Sequence, residues 1–98
     1  MMNLSMEQYE AMTALDEKLR GRIEAALAAG EGAAGEAGTE VARMHREWLG
    51  YSWPKYSAEA HRGLAQMYVD DERFTAYYDG NRPGCAAFLR DAIHTHIK

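Results

Sequence analysis

Aromatic side chains are concentrated around one predicted loop in the second half of the chain. Nine of the ten aromatic residues lie between positions 48 and 88. Four of them fall within nine consecutive positions, namely Trp48, Tyr51, Trp53 and Tyr56. A loop cannot fully bury such rings without also hiding its own backbone polar groups from water. Flat, rigid rings with polar tips are typical of the wall of a pocket for a large, partly apolar ligand. The alternative is that Trp53 and Tyr56 cover the end of a small core, and composition alone leaves both interpretations open.

Four histidines raise the question of a metal site, which their spacing does not favour. His45 and His61 lie on different predicted helices and could meet, but no third ligand stands at a zinc-binding spacing. His94 and His96 are two residues apart, so their rings diverge on a helix. A haem needs a proximal histidine in a deep apolar slot, for which this core is too small. We therefore predict no metal and no cofactor, and His61 could instead offer a polar tip within an aromatic pocket.

Cys85 is the only cysteine, which excludes an internal disulfide and a cysteine zinc site. It follows Pro83 and Gly84 in the first turn of the last predicted helix, where the positive helix end could lower its pKa. A buried small hydrophobe is the commoner fate of a free cysteine. No histidine or aspartate stands at a spacing that indicates a catalytic pair. We therefore predict no catalytic residue and no enzyme activity.

Composition and spacing predict an all-α fold, because alanines number 17 and valines and isoleucines together only five. Ser5 and Gln8 have the spacing of a helix capping box, and apolar residues then recur every three or four positions. This pattern predicts a long first helix over residues 5–29. Four glycines in nine positions predict a flexible loop over residues 30–38. Residues 39–97 contain the remaining helical patterns, which gives four helices and a short fifth.

Length and charge limit the classes of function. The 98 residues of the chain make one domain, residues 1–98. Nucleic-acid binding requires a basic surface, whereas this chain carries 11 basic and 15 acidic side chains and has no basic cluster. No apolar run approaches the roughly 20 residues of a membrane span, and the N-terminus lacks the pattern of a signal peptide. We therefore predict a cytoplasmic protein that contacts neither nucleic acid nor membrane.

The second half of the chain resembles a known family. Residues 61–79, HRGLAQMYVDDERFTAYYD, look like the signature of the TipAS-type antibiotic-recognition domain, and residues 83–93 match that family's final helix. Residues 44–48 resemble the preceding helix more loosely. Members of the family are all-helical, globin-like domains that form the effector half of MerR-type transcription regulators or stand alone as drug-binding proteins. The resemblance implies binding of a bulky, peptide-like or aromatic antibiotic, either for sequestration or as a sensor.

Two departures from the family pattern refine this expectation. The winged helix-turn-helix and the coiled coil of the regulators are missing from the sequence, so we expect no direct contact with DNA. Thiopeptide-binding members are linked to the drug through a cysteine in the loop before the third helix. Residues 50–56 contain no cysteine, so we predict non-covalent binding. The predicted ligand-binding residues are His45, Trp48, Tyr51, Trp53, Tyr56, His61, Leu64, Tyr68 and Phe88.

A helical protein-interaction module is the alternative function. The apolar stripe of the first helix, which runs from Tyr9 to Leu27, could pair with its copy and be buried in a homodimer. The two functions can coexist in one protein.

Overall fold

A computed structural model describes residues 5–98, and every regular element among them is an α-helix. The prediction of four helices and a short fifth is confirmed, because the fourth helix has only eight residues. None of the described helices combines the length and the apolar character that crossing a membrane requires. In chain order the helices are α1 (Met6–Ala28), α2 (Glu36–Leu49), α3 (Ala58–Asp70), α4 (Glu72–Asp79) and α5 (Cys85–His96).

Helix α1 begins and ends at local sequence signals. The Ser5 side chain accepts a hydrogen bond from the Gln8 backbone, and the Gln8 side chain accepts one from the Ser5 backbone, so the predicted capping box is formed. At the other end Gly30 adopts a φ of 75° and the Glu31 backbone N–H donates to the Ala26 carbonyl, which is a Schellman motif. At 1.5 Å per residue the helix is about 34 Å long. It therefore spans most of the longest dimension of the molecule, 38 Å.

The predicted flexible loop over residues 30–38 is wrong at its C-terminal end. Helix α2 already begins at Glu36, and Gly38 is buried inside it. A Cβ atom at Gly38 would lie 1.6 Å from the carbonyl oxygen of Ala33. The same Ala33 carbonyl lies 2.9 Å from Nε2 of His96, which ties the loop to the end of α5. The glycine at position 38 therefore permits a close contact between helix and loop, a tertiary requirement that composition does not reveal.

Helix α5 is the centre of the core, because each of the other four helices packs against it. Leu89 and Ile93 on its inner face are fully buried, as are Leu19 and Ile23 of α1. The C-terminal half of the apolar stripe on α1 is therefore covered within the same domain. It is not free to pair with a second copy of the chain.

The N-terminal half of α1 extends beyond this core, and most of residues 6–15 are exposed. Helix α4 follows α3 after a turn at Asp71, which ends one helix and caps the next by accepting a hydrogen bond from the Arg73 backbone. The turn places α4 opposite the projecting half of α1. The space between these two elements is a large cavity.

Candidate ligand-binding site

The cavity between α1 and α4 has a volume of about 760 Å³. Its wall is mostly apolar and aromatic, and α2 and α3 contribute one large ring each, Trp48 and Tyr68. A cavity of several hundred cubic ångströms with such a wall is typical of a site for a drug-sized molecule. The residues that line it are Tyr9, Met12, Thr13, Asp16, Arg20, Trp48, Tyr68, Arg73, Phe74, Tyr77 and Tyr78.

One polar link joins α1 to α4 at the wall of the cavity. The Tyr77 hydroxyl donates to Oδ2 of Asp16 at 2.5 Å, and Nε of Arg20 donates to the same oxygen at 3.1 Å. The guanidinium of Arg20 also lies over the Tyr77 ring, 5.0 Å from its centroid. Burial raises the pKa of Tyr77, and the hydrogen bond to Asp16 raises it further. One oxygen of the Asp16 carboxylate thus accepts a hydrogen bond from α1 and another from α4, which links the two helices.

A chain of four hydrogen-bonded side chains lies behind the cavity, and we call it the interior chain. The Tyr56 hydroxyl is 2.7 Å from Nδ1 of His61, and Nε2 of His61 is 2.8 Å from Nδ1 of His45. Nε2 of His45 is in turn 2.9 Å from the hydroxyl of Tyr68. The interior chain therefore connects the loop before α3 to a residue that lines the cavity.

Burial makes the two histidines of the interior chain weak bases. It lowers the pKa of His45 to about 3, with a smaller contribution from His61. It also lowers the pKa of His61 to about 4, and the positive charge of Arg46 adds to the effect. Both imidazoles are therefore neutral at physiological pH, where each carries one proton and one lone pair. Burial likewise raises the pKa of Tyr68 to about 12, so the hydroxyl keeps its proton.

The structure places the predicted site residues in three groups. Trp48 and Tyr68 line the cavity, His45 contacts Tyr68 from behind, and His61 follows His45 in the interior chain. Leu64 and Phe88 pack within or against the hydrophobic core and do not line the cavity. The loop residues Tyr51, Trp53 and Tyr56 form the third group.

These loop rings do not cover the large cavity. The Trp53 ring packs on Tyr56 and His61, with ring centroids 6.3 Å and 6.5 Å apart. The Tyr56 ring lies under the guanidinium of Arg46, 4.4 Å away, and lines a second pocket of about 350 Å³ near the C-terminus. Tyr51 is half-buried in the turn after α2. Packing around the interior chain therefore accounts for the Trp53 and Tyr56 rings, and a ligand contact for the three loop residues stays a prediction.

The sequence analysis missed the contributions of α1 and α4 to the cavity wall. The signal was present in part, because α4 carries three of the ten aromatic residues in the chain. Helical spacing did not indicate which of these rings turn to the core and which to the cavity. The cavity-lining residues outside the prediction that carry aromatic rings are Tyr9, Phe74, Tyr77 and Tyr78.

The TipAS antibiotic-recognition domain is the family whose model matches this chain, over residues 1–96. The chain belongs to the TipAS family. The HTH-type transcriptional activator TipA of Streptomyces coelicolor is 37% identical over 87 residues. That alignment covers 89% of this chain and 34% of TipA, so the chain spans about a third of the length of this relative. The resemblance expected from residues 61–79 and 83–93 is therefore confirmed.

Solved structures of TipAS domains have the same fold. TipAS of Streptomyces lividans in complex with nosiheptide superimposes with a TM-score of 0.82 at 35% identity, covering 94% of this chain and 64% of that one. The antibiotic-binding domain of a TipA-class multidrug resistance transcriptional regulator gives a TM-score of 0.75 at 36% identity, covering 88% of this chain and 92% of that one. The globin-like, all-helical architecture implied by the resemblance is confirmed by these TipAS structures.

Proposed function

We propose that this TipAS domain binds a bulky, aromatic-rich, peptide-like antibiotic in the cavity between α1 and α4. The observation that carries the proposal is the cavity itself, which is large, mostly aromatic and open between two helices. A TipAS relative with the same fold has been solved in complex with nosiheptide, a thiopeptide antibiotic. The chemistry of the cavity wall suits a ligand of that class, since planar rings of a ligand can stack on aromatic side chains.

The residues of the cavity wall offer both stacking surfaces and hydrogen-bonding groups to a ligand. Trp48 and Phe74 contribute aromatic rings to the wall of the cavity, and Tyr9 on the projecting half of α1 is 61% exposed. Burying a ring of this kind against a ligand removes a large apolar area from water. The hydroxyl groups of Tyr68 and Tyr77 can form hydrogen bonds that orient the ligand in the cavity. In this proposal the N-terminal half of α1 forms one wall of the cavity, and the bound ligand covers the exposed Tyr9 ring.

Binding is non-covalent in this proposal, and the protein acts without catalysis. Residues 50–56 contain no thiol, and the one cysteine of the sequence, Cys85, is buried in the core. Burial raises the pKa of the Cys85 thiol, and the carboxylates of Glu24 and Asp79 raise it further. A protonated, buried thiol is a poor nucleophile, which supports reversible capture over covalent linkage.

The proposed biological role is sequestration of the antibiotic or its detection as the sensor domain of a MerR-type regulator. The TipA relative is a transcriptional activator about three times as long as the aligned region. Because transcriptional activators work on DNA inside the cell, a cytoplasmic location fits the proposal. Direct contact of this chain with DNA is not part of the proposal, because the formal net charge of the chain is −4 and DNA binding favours a basic surface. A homodimer through the α1 stripe is not favoured, because Leu19 and Ile23 are already buried within the domain.

Titration with nosiheptide tests the proposal. We expect saturable, one-to-one binding by isothermal titration calorimetry, and loss of the ligand on denaturation with no change in the intact mass of the protein. A structure of the complex should place the ligand between α1 and α4. No heat and no change in tryptophan fluorescence with nosiheptide, or a complex in which the cavity stays empty, would contradict the proposal.

A further inference from the structure

The interior chain has only two possible proton arrangements while both histidines are neutral. Each of its four groups carries one proton, and three hydrogen bonds join them in a row. In one arrangement Tyr56 donates to His61, His61 donates to His45, and His45 donates to Tyr68. In the other arrangement every bond runs the opposite way. A change at one end therefore reverses every bond in the interior chain.

The two arrangements differ in what they present to the cavity. When His45 donates to the Tyr68 oxygen, the proton of the Tyr68 hydroxyl is free to be donated on the cavity side. When Tyr68 donates to His45, the cavity side is left with an oxygen lone pair and no proton. Tyr78 packs edge-on against Tyr68, with ring centroids 4.9 Å apart, and also lines the cavity.

The charges at the two ends favour the first arrangement. Burial raises the pKa of Tyr56, but the Arg46 guanidinium over its ring acts in the opposite direction, since a nearby cation stabilises negative charge on the oxygen and so favours donation by the Tyr56 hydroxyl. At the other end the carboxylate of Asp16 opposes loss of the Tyr68 proton. In the first arrangement the Tyr68 hydroxyl proton on the cavity side is therefore favoured by the negative charge of Asp16. Both charges favour donation in the direction from Tyr56 to Tyr68.

We propose that His45 and His61 are positioning residues for ligand selection, which hold the Tyr68 end of the interior chain as a hydrogen-bond donor toward the cavity. The proposal rests on the proposed function, because it concerns the ligand of the same cavity. It specifies that ligand further: the group that meets this part of the wall is an acceptor, such as an amide carbonyl or an unprotonated ring nitrogen. A ligand that presents only donors there forces the reversal of all three bonds and binds more weakly.

The direct test is the tautomer of each histidine in the free protein. In the proposed arrangement both His45 and His61 carry their proton on Nε2, and in the reverse arrangement both carry it on Nδ1. Two-bond ¹H–¹⁵N correlation spectra at pH 7 distinguish the two forms. His94 and His96 serve as internal references, because their Nε2 atoms lie 2.9 Å from backbone carbonyl oxygens, which can only accept. Two Nε2–H tautomers are expected, and Nδ1–H on either residue would overturn the proposal.

A variant at the far end of the interior chain tests the link to the ligand. Tyr56→Phe removes the donor that fixes the polarity, although Tyr56 does not line the large cavity. We expect about two- to tenfold weaker binding of nosiheptide, the range of a coupling between residues of one network, together with a growing Nδ1–H signal from His61. Ser52→Ala is the matched control, since it deletes a hydroxyl from the same loop outside the interior chain.

The results separate this proposal from the proposed function. If the wild-type protein does not bind nosiheptide, the proposed function fails, while the tautomers of the free protein still decide the polarity of the interior chain. If nosiheptide binds, and a folded Tyr56→Phe variant binds it as tightly as the wild type does, the positioning role is overturned. Unchanged tautomers in that variant would lead to the same conclusion.

Discussion

The imidazoles of His45 and His61 are joined by a hydrogen bond of 2.8 Å in the interior of the domain, 16 residues apart in sequence. Their rings are nearly parallel, with centroids 5.0 Å apart and an interplanar angle of 16°. Such a bond needs a proton on one nitrogen and a lone pair on the other, so both rings cannot be protonated at once without breaking it. The side-chain link that this pair makes between α2 and α3 therefore requires the neutral state of at least one histidine.

Stability should fall as the pH is lowered from 7 toward 4. The pKa of His45 is about 3 and that of His61 about 4 in the folded protein, below the usual 6.5, because burial disfavours the charged forms. Between these values the unfolded state binds more protons than the folded state, so acidification favours unfolding. The stabilisation is complete above about pH 6.5 and is lost progressively as the pH falls below that value; the loss levels off near pH 4 for His61 and near pH 3 for His45. We expect a loss of about 1–3 kcal/mol from pH 7 to pH 5, which lowers Tm by about 4–8 °C per kcal/mol.

Differential scanning calorimetry from pH 7 to pH 4.5 checks this expectation. His45→Gln keeps a donor and an acceptor at the position but does not titrate, so the pH dependence of its unfolding should be smaller by about one proton. A Tm that is flat from pH 7 to pH 5 in the wild-type protein would show that the histidines do not change their affinity for protons on folding.

Gly38→Ala should destabilise the domain severely. Its Cβ atom would lie 1.6 Å from the Ala33 carbonyl oxygen, a clash with backbone that forces the loop away from α2. We expect a cost of about 3 kcal/mol or more in chemical denaturation, at the upper end for single substitutions. Gly21→Ala is the control, because nothing lies within 4 Å of the added atom in the middle of α1. It should stabilise by about 0.5–1 kcal/mol through helix propensity. Equal effects of the two substitutions would contradict the close contact at Gly38.

The sequence analysis succeeded where the signals are local. The capping box of Ser5 and Gln8 involves residues three apart, so the start of α1 could be predicted from the chain alone. The start of α2 could not be predicted in this way, because the need for glycine at position 38 comes from a contact with Ala33 across a loop. Glycine-rich composition is compatible with both a flexible loop and a tightly packed helix start.

The candidate site was predicted in part for a similar reason. His45 and His61 were expected to be able to meet from two different helices, and the hydrogen bond between them confirms it. The rings of residues 51–56 were grouped into a pocket because they are close in sequence. Which side of the domain a ring faces depends on how the helices pack, and the turn at Asp71 that brings α4 opposite α1 is visible only in three dimensions.

Trp48 should matter more for ligand binding than Trp53. Trp48 lines the cavity, whereas the Trp53 ring packs on Tyr56 and His61. Trp48→Ala removes a large stacking surface, so we expect its affinity for nosiheptide to fall roughly tenfold or more. Trp53→Ala should have a smaller effect on affinity at comparable folded content. Isothermal titration calorimetry measures both variants, with circular dichroism to confirm folding. The opposite order would place the ligand on the loop before α3 and contradict the cavity as the site.

The hydrogen bond between Tyr77 and Asp16 should be a main link between α4 and α1. This hydrogen bond is short, at 2.5 Å, and its acceptor is a carboxylate that also accepts a hydrogen bond from Nε of Arg20. Hydrogen bonds to charged groups contribute about 1.5–3 kcal/mol to stability when they are buried. Because this hydrogen bond is only part-buried, Tyr77→Phe should lower the free energy of unfolding in urea by about 1–2 kcal/mol. Asp16→Asn should cost a similar amount because it weakens both hydrogen bonds. In the double variant the costs should not add, with a coupling of about 0.5–1 kcal/mol between the two residues. Additive costs would mean that other contacts hold the shape of the cavity, and that the position of α4 relative to α1 does not depend on this hydrogen bond.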